Sequence, residues 1–176
     1  MNRRTSQSGF TLLEVLISVV LMAALLAAVA LATHASLNSY DENARAAALT
    51  QTVRVLSMRL QREVRSAEAI DYQADDGELI IFPPTNPEGL EQIRYEYDGG
   101  TKTLYYHQQT AGETVTSVVM NAASPVVLNS FAVDYETTQI GSLTCTQRVR
   151  VTMTFQVGQA TSTVVFSAAP RRNHQY

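Results

Sequence analysis

The apolar positions along the chain fall into three regimes. From Phe10 to Thr33 the run FTLLEVLISVVLMAALLAAVALAT is apolar except for Glu14 and a few small hydroxyl residues. At about 1.5 Å per residue a helix of this length covers a hydrocarbon core of about 30 Å, so residues 10–33 are predicted to span a membrane. Beyond them Leu37, Tyr40, Ala44 and Ala48, then Leu49, Val53, Leu56, Leu60, Val64 and Ala67, recur at steps of three and four, while Arg54, Gln61, Arg62 and Arg65 take other faces. That period belongs to an amphipathic helix with one stripe against a core. Neither Pro nor Gly interrupts residues 10–70. One continuous helix is therefore expected, its first half (10–33) in membrane or filament and its second half (34–70) covering a sheet.

In the third regime, residues 71–176, apolar and polar positions alternate. Glu78-Leu79-Ile80-Ile81-Phe82 runs into the loop Pro83-Pro84-Thr85-Asn86-Pro87-Glu88-Gly89. Ile93, Tyr95 and Tyr97 then alternate with Arg94 and Glu96, and Asp98-Gly99-Gly100 is expected to supply the positive-φ residues of a hairpin before Leu104 to His107. The clearest strand is Arg148 to Val157, with Val149, Val151, Met153, Phe155 and Val157 on one face, and Gly158-Gln159 reads as a two-residue turn into Thr161 to Ser167. A helix followed by a run of strands predicts an α+β fold: an antiparallel β-sheet domain with the amphipathic half of the helix on its apolar face.

Arg3 and Arg4 precede the apolar run, and the far side begins neutral and turns acidic at Asp41 and Glu42. The positive-inside bias therefore places the N-terminus in the cytoplasm and exports the globular part. Glu14 is the anomaly, because an ionised carboxylate in an apolar span costs on the order of 3 kcal/mol. A cut between Gly9 and Phe10 would create an α-ammonium one helical turn from Glu14. The same amine on an adjoining copy could pair with that carboxylate in low dielectric and mark the register between packed helices.

Arg3 and Arg4, followed by Ser8-Gly9-Phe10-Thr11-Leu12-Leu13-Glu14 and an apolar helix, resemble the processing motif of type IV prepilins and type II secretion pseudopilins. The resemblance implies a leader of residues 1–9, cleavage by a prepilin peptidase after Gly9, N-methylation of Phe10, and Glu14 as the residue that neutralises a neighbour's N-terminus during assembly. It also implies a pilin-like fold and a non-enzymatic subunit of the bacterial inner membrane that passes into a pilus or pseudopilus. The implied partners are a major subunit, other minor subunits and an inner-membrane assembly platform. Major pilins commonly carry a proline in this helix, and none occurs between Phe10 and Thr33, which turns the resemblance towards minor pilins or pseudopilins. Residues 59–67 and the ending Ala169-Pro170-Arg171-Arg172-Asn173 are similar to J-type minor pseudopilins and W-type minor pilins. The competing reading is a secretory signal peptide cut at Ala28-Val29-Ala30 or Ala30-Leu31-Ala32, releasing a binding domain, but the apolar run is longer than such peptides use and contains Glu14 near its start.

Composition narrows the remaining classes. The formal net charge is -3, and Lys and Arg are scattered, so direct nucleic-acid binding is not expected. Cys145 is the single cysteine, which excludes an intramolecular disulfide and multi-thiolate zinc; it reads as a half-buried strand residue, with an intermolecular bridge as the alternative. His34, His107 and His174 lie far apart, and neither a nucleophile elbow nor a phosphate loop occurs. No catalytic residue, cofactor or metal is therefore assigned. Asp71, Asp75, Asp76 and Glu78 around Gly77 form an acidic turn that could offer calcium a few oxygens, although the spacing departs from an EF-hand. Tyr95, Tyr97, Tyr105 and Tyr106 sit on adjacent predicted strands, where cross-strand packing is the expected role.

Overall fold

The computed structural model describes residues 11–71, 74–84, 89–140 and 143–170. Helix α1 runs unbroken from Leu12 to Ser66. Eight strands follow: β1 (Ala69–Asp71), β2 (Glu78–Phe82), β3 (Leu90–Asp98), β4 (Thr103–Thr110), β5 (Glu113–Met120), β6 (Val127–Ile140), β7 (Leu143–Val157) and β8 (Ala160–Ala168). This is an α+β architecture of a long apolar helix followed by antiparallel sheets, consistent with a pilin-like fold.

The chain divides into two compact units, one ending at Ala44 and the other beginning at Arg45. In the first, α1 is exposed on every side, large apolar residues such as Leu12, Leu25 and Leu31 included. A helix apolar all round is built for lipid or for other helices rather than water. By length and composition it can cross a membrane.

In the second unit every strand pairing is antiparallel, but the strands form two sheets rather than the single one expected: β1-β2-β3-β4-β5 and β6-β7-β8. Both sheets and α1 share one core. Leu56, Leu60 and Val64 come from the helix, Leu79, Ile81, Tyr95 and Leu104 from the first sheet, and Leu128, Val149, Val151, Met153 and Phe155 from the second. The alternation over 148–157 therefore buries the predicted face. The turn after Val157 also falls as predicted: Val157 pairs with Ala160, and Gly158 takes φ 57°, a left-handed conformation that glycine adopts without a Cβ penalty.

Three local expectations are corrected. The helix ends at Ser66 rather than Ile70. Ala69, Ile70 and Asp71 pair instead with Phe82, Ile81 and Ile80, Glu68 N–H donates to Phe82 O (2.8 Å), and Thr146 Oγ1 donates to Ile70 O (3.1 Å). Sheet partners thus satisfy backbone groups that another helical turn would have used. Leu37 and Tyr40 are exposed, at 59% and 72%, and the helix residues packed on the core start at Ala48. Leu37 and Tyr40 belong to the first unit, where every described helix residue is exposed whichever face it takes, so periodicity alone did not mark where the core contact begins.

The third correction concerns the β3–β4 connection, where Lys102 (φ 52°), and neither Gly99 nor Gly100, carries the positive φ. Asp98 organises this loop. Its Oδ1 accepts from Gly100 N–H (2.8 Å) and Thr101 N–H (3.4 Å), and its Oδ2 accepts from Thr101 Oγ1 (2.7 Å). A Cβ on Gly100 would stand 3.2 Å from Asp98 Oδ1, so close approach of the carboxylate accounts for that glycine. The Thr101 hydroxyl first, and the two amides after it, hold the Asp98 carboxyl below its usual range. A depressed carboxylate stabilises the folded state above its unfolded value near pH ~4 and loses that contribution as pH falls through the folded value. Asp98→Asn is accordingly expected to melt below the parent at neutral pH. The two melting curves, followed by circular dichroism, should converge in acid; an unchanged gap there would contradict the assignment.

Candidate functional site

Residues 1–10, and with them Arg3, Arg4, Gly9 and Phe10, lie outside the described residues. Glu14 lies within them, in the first turn of α1. Thr11 caps this turn: its hydroxyl accepts from Glu14 N–H (3.3 Å), and its carbonyl accepts from Glu14 N–H (3.0 Å) and Val15 N–H (3.2 Å). Thr11 and Glu14 stand at the spacing of a capping box, a relation visible in the sequence as Thr followed three positions later by Glu. The position also sets the carboxylate at the positive end of the helix dipole, which favours a negative charge by about 0.3–1 kcal/mol. That is less than the cost of burial in lipid. The Glu14 side chain makes no ion pair among the described residues, so a partner from another molecule can still reach it.

In the second unit, side chains from α1 and the first sheet form a network that was not anticipated. Glu63 Oε2 accepts from Tyr95 OH (2.7 Å), and Glu63 Oε1 accepts from Arg59 Nε (3.2 Å). The Arg59 guanidinium lies 4.1 Å from the Tyr106 ring centre and 5.8 Å from that of Tyr95, within cation–π range. Tyr95 and Tyr106 are paired across β3 and β4, with ring centres 5.1 Å apart, so this pair of the four tyrosines packs as expected. Burial first, and the Glu63 charge second, push the Tyr95 phenol far above its usual range. The tyrosine is thus a permanent donor to Glu63. The only local signal was Arg59 and Glu63 one helical turn apart; their aromatic partners are more than thirty positions away.

The acidic turn disperses its side chains. Asp71 stands on β1 opposite Ile80, and Glu78 lies 3.6 Å from Arg94 in an ion pair. Among the described residues no group of three or more His, Cys, Asp or Glu is placed to hold a metal ion. Tyr135 OH donates to Glu78 O (3.0 Å), and burial, followed by the nearby charges of Asp71 and Glu78, raises its phenol. His107 sits on β4 with Nδ1 2.8 Å from Thr116 Oγ1 and Nε2 3.1 Å from Glu96 Oε2. His34 is on the exposed helix, and His174 lies outside the described residues. Cys145 is buried and free, which disfavours an intermolecular bridge.

The family model for the prokaryotic N-terminal methylation motif matches residues 4–30, a stretch that includes Gly9, Phe10 and Glu14. No curated protein and no solved structure matches the chain. The motif indicates a prepilin-type, type IV pilin-like protein. It is a motif of structural rather than catalytic subunits, processed by prepilin peptidase and assembled with pilus components.

Proposed function

We propose that the chain is a minor pilin or minor pseudopilin that helps to initiate or prime a filament drawn from the bacterial inner membrane, either a type IV pilus or a type II secretion pseudopilus. The observation that carries this reading is the match of residues 4–30 to the methylation motif, together with a helix from Leu12 that is apolar and exposed up to Thr33 and contains neither Pro nor Gly. In this mechanism prepilin peptidase cuts after Gly9 and the new amine of Phe10 is methylated. Residues 10–33 hold the subunit in the membrane, N-terminus inside and β-domain outside. On assembly Glu14 meets a neighbouring N-terminus, and the apolar helices exchange lipid for each other. The missing helix proline supports the minor class.

N-terminal peptide mass spectrometry of the mature protein tests the first step. A methylated Phe10 as the first residue is expected. A mature chain starting at Thr33 would instead favour a domain released by signal peptidase.

A further inference from the structure

We infer that the outward face of α1 between Arg54 and Ser66 docks a neighbouring pilin-type subunit that presents apolar side chains flanked by carboxylates. This rests on the assembly role proposed above. Within the second unit α1 has two contrasting sides. Leu56, Leu60 and Val64 face the core, whereas Arg54, Val55, Met58, Arg62 and Arg65 are exposed. Val55 and Met58 leave 56% and 60% of their surface open. Met58 also lines, with Gln61, Arg62, Arg65 and Ser66, a shallow recess of about 350 Å³.

The charges at this recess are unspent. Arg59, Arg94, Arg148 and Arg150 each have a carboxylate within 4 Å, while Arg54, Arg62 and Arg65 have no ion pair among the described residues. Arg62 and Arg65 are three positions apart and so share one side of the helix. Two guanidiniums around an apolar floor can hold a carboxylate through charge-assisted hydrogen bonds while Met58 packs against the carbon atoms beside it. Met and Arg are also residues enriched where proteins meet.

Charge and position select the occupant. A two-fold contact with a second copy would set this arginine stripe against itself, and like charges oppose that arrangement. Anionic lipid is the less suited occupant, because residues 34–57 separate Met58 from Thr33, where the span is expected to end. An acidic, partly apolar protein surface is the complement that remains.

The test uses the full-length chain in its native membrane, with a photo-crosslinking residue at Met58 and, in a parallel protein, at Leu25 within the apolar run. At Met58 the expected adduct is with a different chain that itself carries a methylation motif, mapped beside an Asp or Glu. Arg62→Glu with Arg65→Glu should lower its yield about tenfold or more, and Arg62→Lys with Arg65→Lys should keep most of it. An adduct only with lipid, nucleic acid or a second copy overturns the inference, as does a yield indifferent to charge reversal. Leu25 and the N-terminus separate the two levels. A Leu25 adduct and a methylated Phe10 without a Met58 adduct defeat the docking surface alone, whereas loss of all three defeats the assembly role and the docking surface with it.

Discussion

Glu14→Val and Glu14→Ala are expected to remove the chain from filaments while leaving it cleaved, membrane-inserted and folded. Removing the carboxylate makes insertion easier by on the order of 3 kcal/mol, so loss of the protein from the membrane is not the expected cause. The loss falls on assembly, where a neighbour's N-terminal amine would be left without its counter-charge in low dielectric; breaking one partner of such a pair costs about 3–5 kcal/mol. At about 1.4 kcal/mol per tenfold, that predicts a fall in incorporation of at least a hundredfold. Immunoblotting of sheared filaments against membrane fractions gives the comparison. Normal incorporation of either variant removes the electrostatic pairing from the mechanism.

The second large effect is expected in the β-domain. Leu60 is fully buried among residues of the core shared by α1 and both sheets, and Leu60→Ala should destabilise that unit by about 2–5 kcal/mol through lost transfer energy and the cavity left behind. Val55, on the opposite side of the same helix, is more than half exposed; Val55→Ala should stay within about 0.5 kcal/mol. Denaturant unfolding of the full-length protein in micelles, followed by tyrosine fluorescence, measures both. Equal effects would mean that residues 45–66 of α1 do not cover the sheets through the face described here.

The contrast between Leu60 and Val55 also shows what was legible in the sequence. Over 49–67 the three- and four-residue steps identify the buried face, because a helix repeats its sides every few residues whatever lies opposite. The same logic over 148–157 identifies the buried side of β7. Pairing is another matter. That β5 closes one edge of the first sheet while β6 begins a second sheet depends on register between distant segments, which local alternation does not encode. Lys102 in a left-handed conformation was hidden by two adjacent glycines that look better suited to it. Of the candidate site, Glu14 could be read from its cost in an apolar run. Tyr95 and Glu63 could not be matched, since nothing near either residue announces the other.

The Glu63 bridge has a mechanical consequence. Tension applied along α1 at residue 45 would be transferred to the β-domain sideways, by shear across the helix–sheet seam. The Tyr95 phenol, held to Glu63 at 2.7 Å, and the Arg59 guanidinium over Tyr106 tie the helix to the first sheet, beside the core residues Leu56, Leu60 and Val64. These links share the pull and yield together rather than peeling one after another. A chain pulled by its helix would in this way keep its β-domain attached under strain.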